Sequence, residues 1–175
     1  MKTTLNQIRE HSPCADGWGK LLKHLGKTKA NDEELTILTI LGSNGLDDAL
    51  WCLRAVEGHD IEKRRFAIFC AQQVEHLMID DRSRNAIAVA ERYCDGQATD
   101  YELQAAANDA NDAEANAAAA APNAAAYAAT TYAAAAAAYA AAAYAAAAAY
   151  DAAAYATDTQ AAQEAELRSI CELTK

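Results

Sequence analysis

Several residue types that carry enzyme chemistry are present in this chain, but their spacings favour structural roles. The paired carboxylates Asp47-Asp48 and Asp80-Asp81 could serve general acid–base catalysis. Each pair falls where a helix is expected to begin, however, and there an anion satisfies free N–H groups and complements the helix dipole. His11, His24, His59 and His76 make neither HxxxH nor HExxH, so no metal site is signalled. The five cysteines, Cys14, Cys52, Cys70, Cys94 and Cys171, include no CxxC pair. An odd number without paired spacing reads as free thiols in a reduced, cytoplasmic chain. Cys52 and Cys70 sit inside apolar helical patterns, where a thiol behaves as a small hydrophobe. Phosphate loops (GxxxxGK[ST], GxGxxG) and the GxSxG nucleophile elbow are absent. The one basic cluster, Lys63-Arg64-Arg65, is balanced by Asp60 and Glu62 and reads as a solvated helix face. The expectation is a non-enzymatic protein, with no cofactor and no metal.

Helices would have to position all of these groups, and the expected fold class is all-α. Thr3 or Thr4 can cap a helix running to about Glu10, and Asp16 precedes the stripe Trp18, Leu21, Leu22, Leu25, closed by Gly26. Asn31-Asp32-Glu33-Glu34 resembles a capping box for a third helix carrying Leu35, Leu38 and Leu41 and stopped by Gly42. Asn44-Gly45 turns the chain into a fourth helix with Leu46, Leu50, Leu53 and Val56 inward. The segment from Asp60 to about Met78 follows, with Ile61, Phe66, Phe69, Val74, Leu77 and Met78 as its apolar surface and Lys63, Arg64 and Arg65 as its wet side. Asp80 or Asp81 caps a sixth helix that ends at Gly96. No strand pattern stands out. Residues 1–98 read as a compact helical domain.

Residues 99–175 form a second region rich in alanine and tyrosine. Of the 61 positions from Ala105 to Ala165, 38 are alanine, so the 53% hydrophobic content overstates the core. Thr99-Asp100-Tyr101-Glu102 is a full capping box, and alanine's helix propensity should carry the helix onward. Pro122 breaks it, and Thr157-Asp158-Thr159 caps a short last helix ending near Leu173. Unbroken, the region would be a rod of about 110 Å; broken near 122 and 157 it gives pieces of about 32, 52 and 25 Å, which are expected to fold back as a hairpin or bundle. Six tyrosines, Tyr127, Tyr132, Tyr139, Tyr144, Tyr150 and Tyr155, punctuate the alanine. At about 100° per residue, Tyr132, Tyr139 and Tyr150 share one line, and Tyr144 and Tyr155 share another. Two such lines suit a helix touched on two sides, either within one chain or as an interface.

Charge narrows the partners. The net charge is −10, of which residues 103–175 carry −6, and no Lys or Arg lies between Arg92 and Arg168. Nucleic acid and anionic membrane surfaces are therefore poor partners. No stretch has the apolar length of a membrane helix, and the N-terminal residues lack the apolar core of a secretory signal.

Several blocks together resemble a known family. They are Cys14-Ala15-Asp16-Gly17, Leu46-Asp47-Asp48-Ala49-Leu50-Trp51-Cys52-Leu53-Arg54 and Arg65-Phe66-Ala67-Ile68-Phe69-Cys70-Ala71. Asp80-Asp81-Arg82-Ser83-Arg84-Asn85-Ala86-Ile87, Ala90-Glu91-Arg92-Tyr93, Gly96 and Thr99 to Leu103 continue the pattern before the alanine run. This pattern resembles the alanine-rich immunity proteins of bacteria and phages. In the family the alanine run usually carries Trp and Arg, whereas here it carries Tyr, Asn and Asp. The resemblance implies a protein that binds and neutralises a cognate toxin, and it implies no catalytic residues. The acidic charge suits steering toward a basic toxin such as a nuclease. Two further expectations stand beside it: a self-assembling helical scaffold with alanine–tyrosine interfaces between identical chains, and a phage-encoded inhibitor of a host defence protein.

Overall fold

The structure, a computed structural model, describes residues 1–73, 75–78, 80–120 and 160–174. The all-α class holds: the described chain is helical apart from one two-stranded ribbon. It packs as two units, Met1–His59 with Arg168–Lys175, and Asp60–Leu167.

In the first unit, β1 (Lys2–Thr4) pairs antiparallel with β2 (Glu34–Thr36), Thr3 lying opposite Leu35. No strand was expected here, because three residues are too few to show alternation. Each strand ends on a threonine that caps the helix after it. Thr4 Oγ1 accepts from the Gln7 N–H at 3.1 Å and opens α1 (Leu5–Glu10). Thr36 Oγ1 accepts from the Thr39 N–H at 3.1 Å and opens α3 (Ile37–Asn44). A cap of this kind contributes about 1 kcal/mol.

The helix expected to be capped by Asn31 is therefore capped five residues later, by Thr36. Leu35 gains more by entering the ribbon, where it is buried, and Glu33 turns to Lys27 at 2.5 Å. Gly42 does not stop α3 either; the chain continues to Asn44, and Gly45, at φ +98°, ends α3 and immediately precedes α4 (Leu46–Cys52). Between these elements lies α2 (Ala15–His24), whose cap is Cys14 and not Asp16. Of the expected α2 stripe only Leu21 is buried; Trp18, Leu22 and Leu25 stay half-buried. The core beneath is Leu5, Ile8, Ile37, Ile40, Leu50 and Leu53. Each such side chain is worth about 1.5–3 kcal/mol on full burial. Thr3 Oγ1 donates to the Ala55 carbonyl at 2.5 Å, and the Met1 ammonium donates to Thr174 Oγ1 at 2.8 Å.

The second unit contains α5 (Asp60–Gln73), α6 (Asp81–Cys94), α7 (Asp100–Ala120) and the first residues of α8 (Gln160–Leu173). The capping box at Thr99 forms as expected: Thr99 Oγ1 accepts from the Glu102 N–H at 3.2 Å, and Glu102 Oε2 accepts from the Thr99 N–H at 2.8 Å. Helix α7 then buries Leu103, Ala106, Ala107, Ala110 and Ala113, a stripe whose small side chains let α6 approach closely.

The wet side expected for α5 is corrected. Only Arg65 is exposed there; Lys63 and Arg64 are each 4% accessible. They share their faces of α5 with Ala67, Cys70 and Ala71, one and two turns on, which are also buried. The outward stripe is instead Ile61, Arg65 and Gln72. Arg64 lies 5.2 Å from the centre of the Tyr93 ring, and Lys63 lies 3.6 Å from Asp60. Burial lowers the pKa of both cations.

The start of α6 is held by Asp80, which accepts from the Arg82 N–H at 2.9 Å and from the Arg82 guanidinium at 3.0 and 2.7 Å. The guanidinium first, then the backbone N–H, pulls the Asp80 carboxyl from its ordinary 3.8 to about 2. A carboxylate depressed in the folded state stabilises the protein above its unfolded pKa, and that contribution is lost as pH falls through the folded value. Thermal midpoints followed by circular dichroism should therefore drop between pH 4 and pH 2. Asp80→Asn, which keeps a capping acceptor, should flatten that drop; an unchanged profile would remove Asp80 from the acid transition.

Candidate functional site

The candidate site is built where α2, α3 and α4 meet in the first unit. There the chain encloses a half-open cleft of about 100 Å³. Ile8, Pro13, Leu21 and Ile40 supply aliphatic wall, and Trp18 and Trp51 supply ring surface. These are the two tryptophans of the whole chain. Cys14 and Cys52 contribute thiols, and Gly17, Asn44 and Asp48 form the polar edge. Pockets for drug-sized ligands start at about 300 Å³, so this one matches a single inserted side chain.

A hydrogen-bonded pin holds that edge. Ser43 Oγ donates to Asn44 Oδ1 at 2.7 Å, which orients the amide. Asn44 Nδ2 then donates to the Gly17 carbonyl of α2 at 2.8 Å and to Asp48 Oδ2 of α4 at 2.7 Å. Gly17 is required by this approach: a Cβ there would stand 2.8 Å from Asp48 Oδ2 and 3.1 Å from Cys14 Sγ. The Cys14 sulfur itself accepts from the Gly17 N–H at 3.3 Å. In the 3-10 turn that follows α4 (Leu53–Ala55), Arg54 donates to the Trp51 carbonyl at 2.8 Å and lays its guanidinium 4.3 Å from the Trp51 ring centre, which fixes the ring.

Burial first, and the Asp48 carboxylate next, push the Cys52 thiol up to about 12, so it stays protonated at neutral pH. Burial likewise raises the Cys70 and Cys171 thiols. Asn44 and Asp48 are engaged with each other. Among the described residues no group of three or more His, Cys, Asp or Glu is placed to hold a metal.

The residues singled out from the sequence fall in several places. Asp47 and Asp48 lie in the first turn of α4, Asp80 caps α6 and Asp81 is its first residue, so both pairs act at helix starts. His11, His24 and His76 are exposed on separate elements, and His59 sits in the turn before α5 with φ +59°. Tyr127, Tyr132, Tyr139, Tyr144, Tyr150 and Tyr155, with Pro122 and the Thr157–Thr159 cap, lie outside the described residues. The cleft itself was not expected. Cys14, Gly17, Asp48, Trp51 and Cys52 lie in two separate sequence segments, and no local pattern in either announces a shared cleft. Comparison with protein-family models, with curated proteins and with solved structures finds no match to this chain.

Two measurements check this construction. Gly17→Ala should destabilise the protein by about 1–3 kcal/mol in urea unfolding, the usual range for overpacking. Asp48→Ala on the same background should recover part of that loss; strict additivity would mean that the two positions do not meet. In alkylation followed by mass spectrometry, exposed Cys14 should react first, and its modification should change tryptophan emission. Cys52, Cys70 and Cys171 should react only on unfolding.

Proposed function

We propose that this chain is a non-enzymatic binding protein that neutralises a protein partner by stoichiometric association, as the immunity proteins it resembles do. The observation that carries the reading is that both tryptophans line one open cleft. Tryptophan and arginine are the side chains most enriched among energetic anchors at interfaces. Here Trp51 with Arg54 stacked on it, and Trp18 beside half-buried Leu22 and Leu25, offer such anchors on α4 and α2.

The partner class follows from charge. A net charge of −10 favours association with a basic protein, and a cationic toxin such as a nuclease fits that complementarity. Nucleic acid does not fit it. Among the described residues no helix is long and apolar enough to cross a membrane. Free thiols at all five cysteines suit a reducing cytoplasm. A host defence protein as target would use the same surface physics. Self-assembly through the tyrosines is the reading from another class, and it rests on the sequence pattern alone.

Growth rescue in a bacterial host expressing a panel of cationic toxin domains tests the proposal. The chain should restore growth against a member of the panel and form a one-to-one complex with it in light scattering. Trp51→Ala and Trp18→Ala should each weaken that complex about thirtyfold, as expected for a 2 kcal/mol anchor. No rescue and no complex across the panel would overturn the immunity reading. A mass of the isolated chain that rises with concentration would replace it with self-assembly.

A further inference from the structure

Two basic side chains bond to the backbone of residues that line the cleft. Lys20 Nζ donates to the Asn44 carbonyl at 3.1 Å, and Arg54 donates to the Trp51 carbonyl at 2.8 Å. Neither belongs to the lining, of which Asp48 is the one charged member. Its carboxylate is half-buried, and among the described residues it has no cation within ion-pair distance. A single amide, Asn44 Nδ2, holds one of its oxygens at 2.7 Å. Cys52, one turn further along α4, lines the same cleft.

An apolar sleeve with one oriented carboxylate is unfavourable for an anion and indifferent to a purely aliphatic group. It is complementary to a side chain that is apolar along its stem and cationic at its tip. We infer that the cleft takes one lysine or arginine side chain projecting from a cationic partner. The methylene stem lies against Ile8, Leu21 and Ile40. The charged head hydrogen-bonds to Asp48 beside the Trp18 ring, while the Trp51 ring, one face of which carries Arg54, closes the wall. The cleft volume of about 100 Å³ accommodates that one side chain and excludes a nucleotide.

This inference names the anchor for the surface proposed above and rests on that reading only for the identity of the partner. It can therefore be tested on the full chain with small probes. The chain has two tryptophans, so its two indole N–H resonances both report on the cleft. In ¹⁵N-labelled protein at constant ionic strength, n-butylammonium chloride should move both resonances saturably, with a dissociation constant in the millimolar range. The uncharged probe n-butanol should bind about tenfold more weakly, the scale of one charge-assisted hydrogen bond. Asp48→Asn, with its fold checked by circular dichroism, should abolish the difference between the probes.

Equal binding of the two probes to the unmodified protein, or no movement with either, would overturn the inference whether or not Asp48→Asn folds. Cation selectivity that persists in a folded Asp48→Asn protein would overturn it too. Selectivity at the indoles with no rescue in the growth assay would remove the immunity reading and leave the cation site standing. Rescue that depends on Trp18 and Trp51, with equal binding of both probes, would do the reverse.

Discussion

One side-chain amide joins the three helices that make the cleft. Asn44, the last residue of α3, donates at once to a backbone carbonyl of α2 and to a carboxylate of α4. Helices α2 and α4 are short, ten and seven residues, lengths at which isolated helices do not hold in water. Their relative placement must come from tertiary contacts, and on the polar side of the cleft it comes from this amide. The amide is fixed in orientation, because turning it over would set its oxygen against the Gly17 carbonyl and the Asp48 carboxylate, both acceptors. Gly17 lacks a side chain for the same reason: the carboxylate must approach the α2 backbone within a distance that a methyl group would block. Trp18 and Trp51 stand one residue beyond Gly17 and three beyond Asp48, so what holds the polar edge also spaces the rings.

The second unit solves a different problem, that of assembling a core from small side chains. Alanines dominate the buried face of α7, and α5 contributes Ala67, Cys70 and Ala71. Methyl groups bring backbones close but contribute little burial energy each. Lys63 and Arg64 then supply bulk: their long stems can cover apolar surface while their charges are met locally. Arg64 lies over the Tyr93 ring, and the Asp100 carboxylate raises that tyrosine's pKa. The same first turn of α7 adds Glu102, 3.7 Å from Arg92 and bonded to Thr99. The cations that look like a surface feature in the sequence thus take part in the packing between α5, α6 and α7.

The all-α class and most helix ends were legible because they depend on local chemistry. Thr4, Asp80 and Thr99 cap where a short acceptor precedes an apolar stripe, and Gly26, Gly58 and Gly96 take positive φ where helices stop or turn. The errors came where a distant partner overrode a local preference. Asn31 had an adequate capping sequence, but Leu35 paired with Thr3, and Thr36 captured the cap. Cys14 displaced Asp16 because a thiol can accept from an N–H and the chain turns two residues earlier. The cleft was not legible, because its lining comes from segments some thirty residues apart that only the fold brings together. Nothing in the spacing of Gly17, Asn44, Asp48 and Trp51 announces that one amide connects them, since that connection belongs to the fold.

Gly45 joins α3 to α4 without a spacer, closing one helix and leading straight into the next. The link therefore has no slack. One residue added or removed there would turn α4 by about 100° about its axis relative to α3. Asp48 would then swing away from Asn44, and Trp51 would leave the cleft, although every side chain remained in the sequence. Descendants of this chain can vary the composition of the cleft more readily than the length of the link beside it. In any set of its relatives, gaps at this junction would mark those that had lost the site.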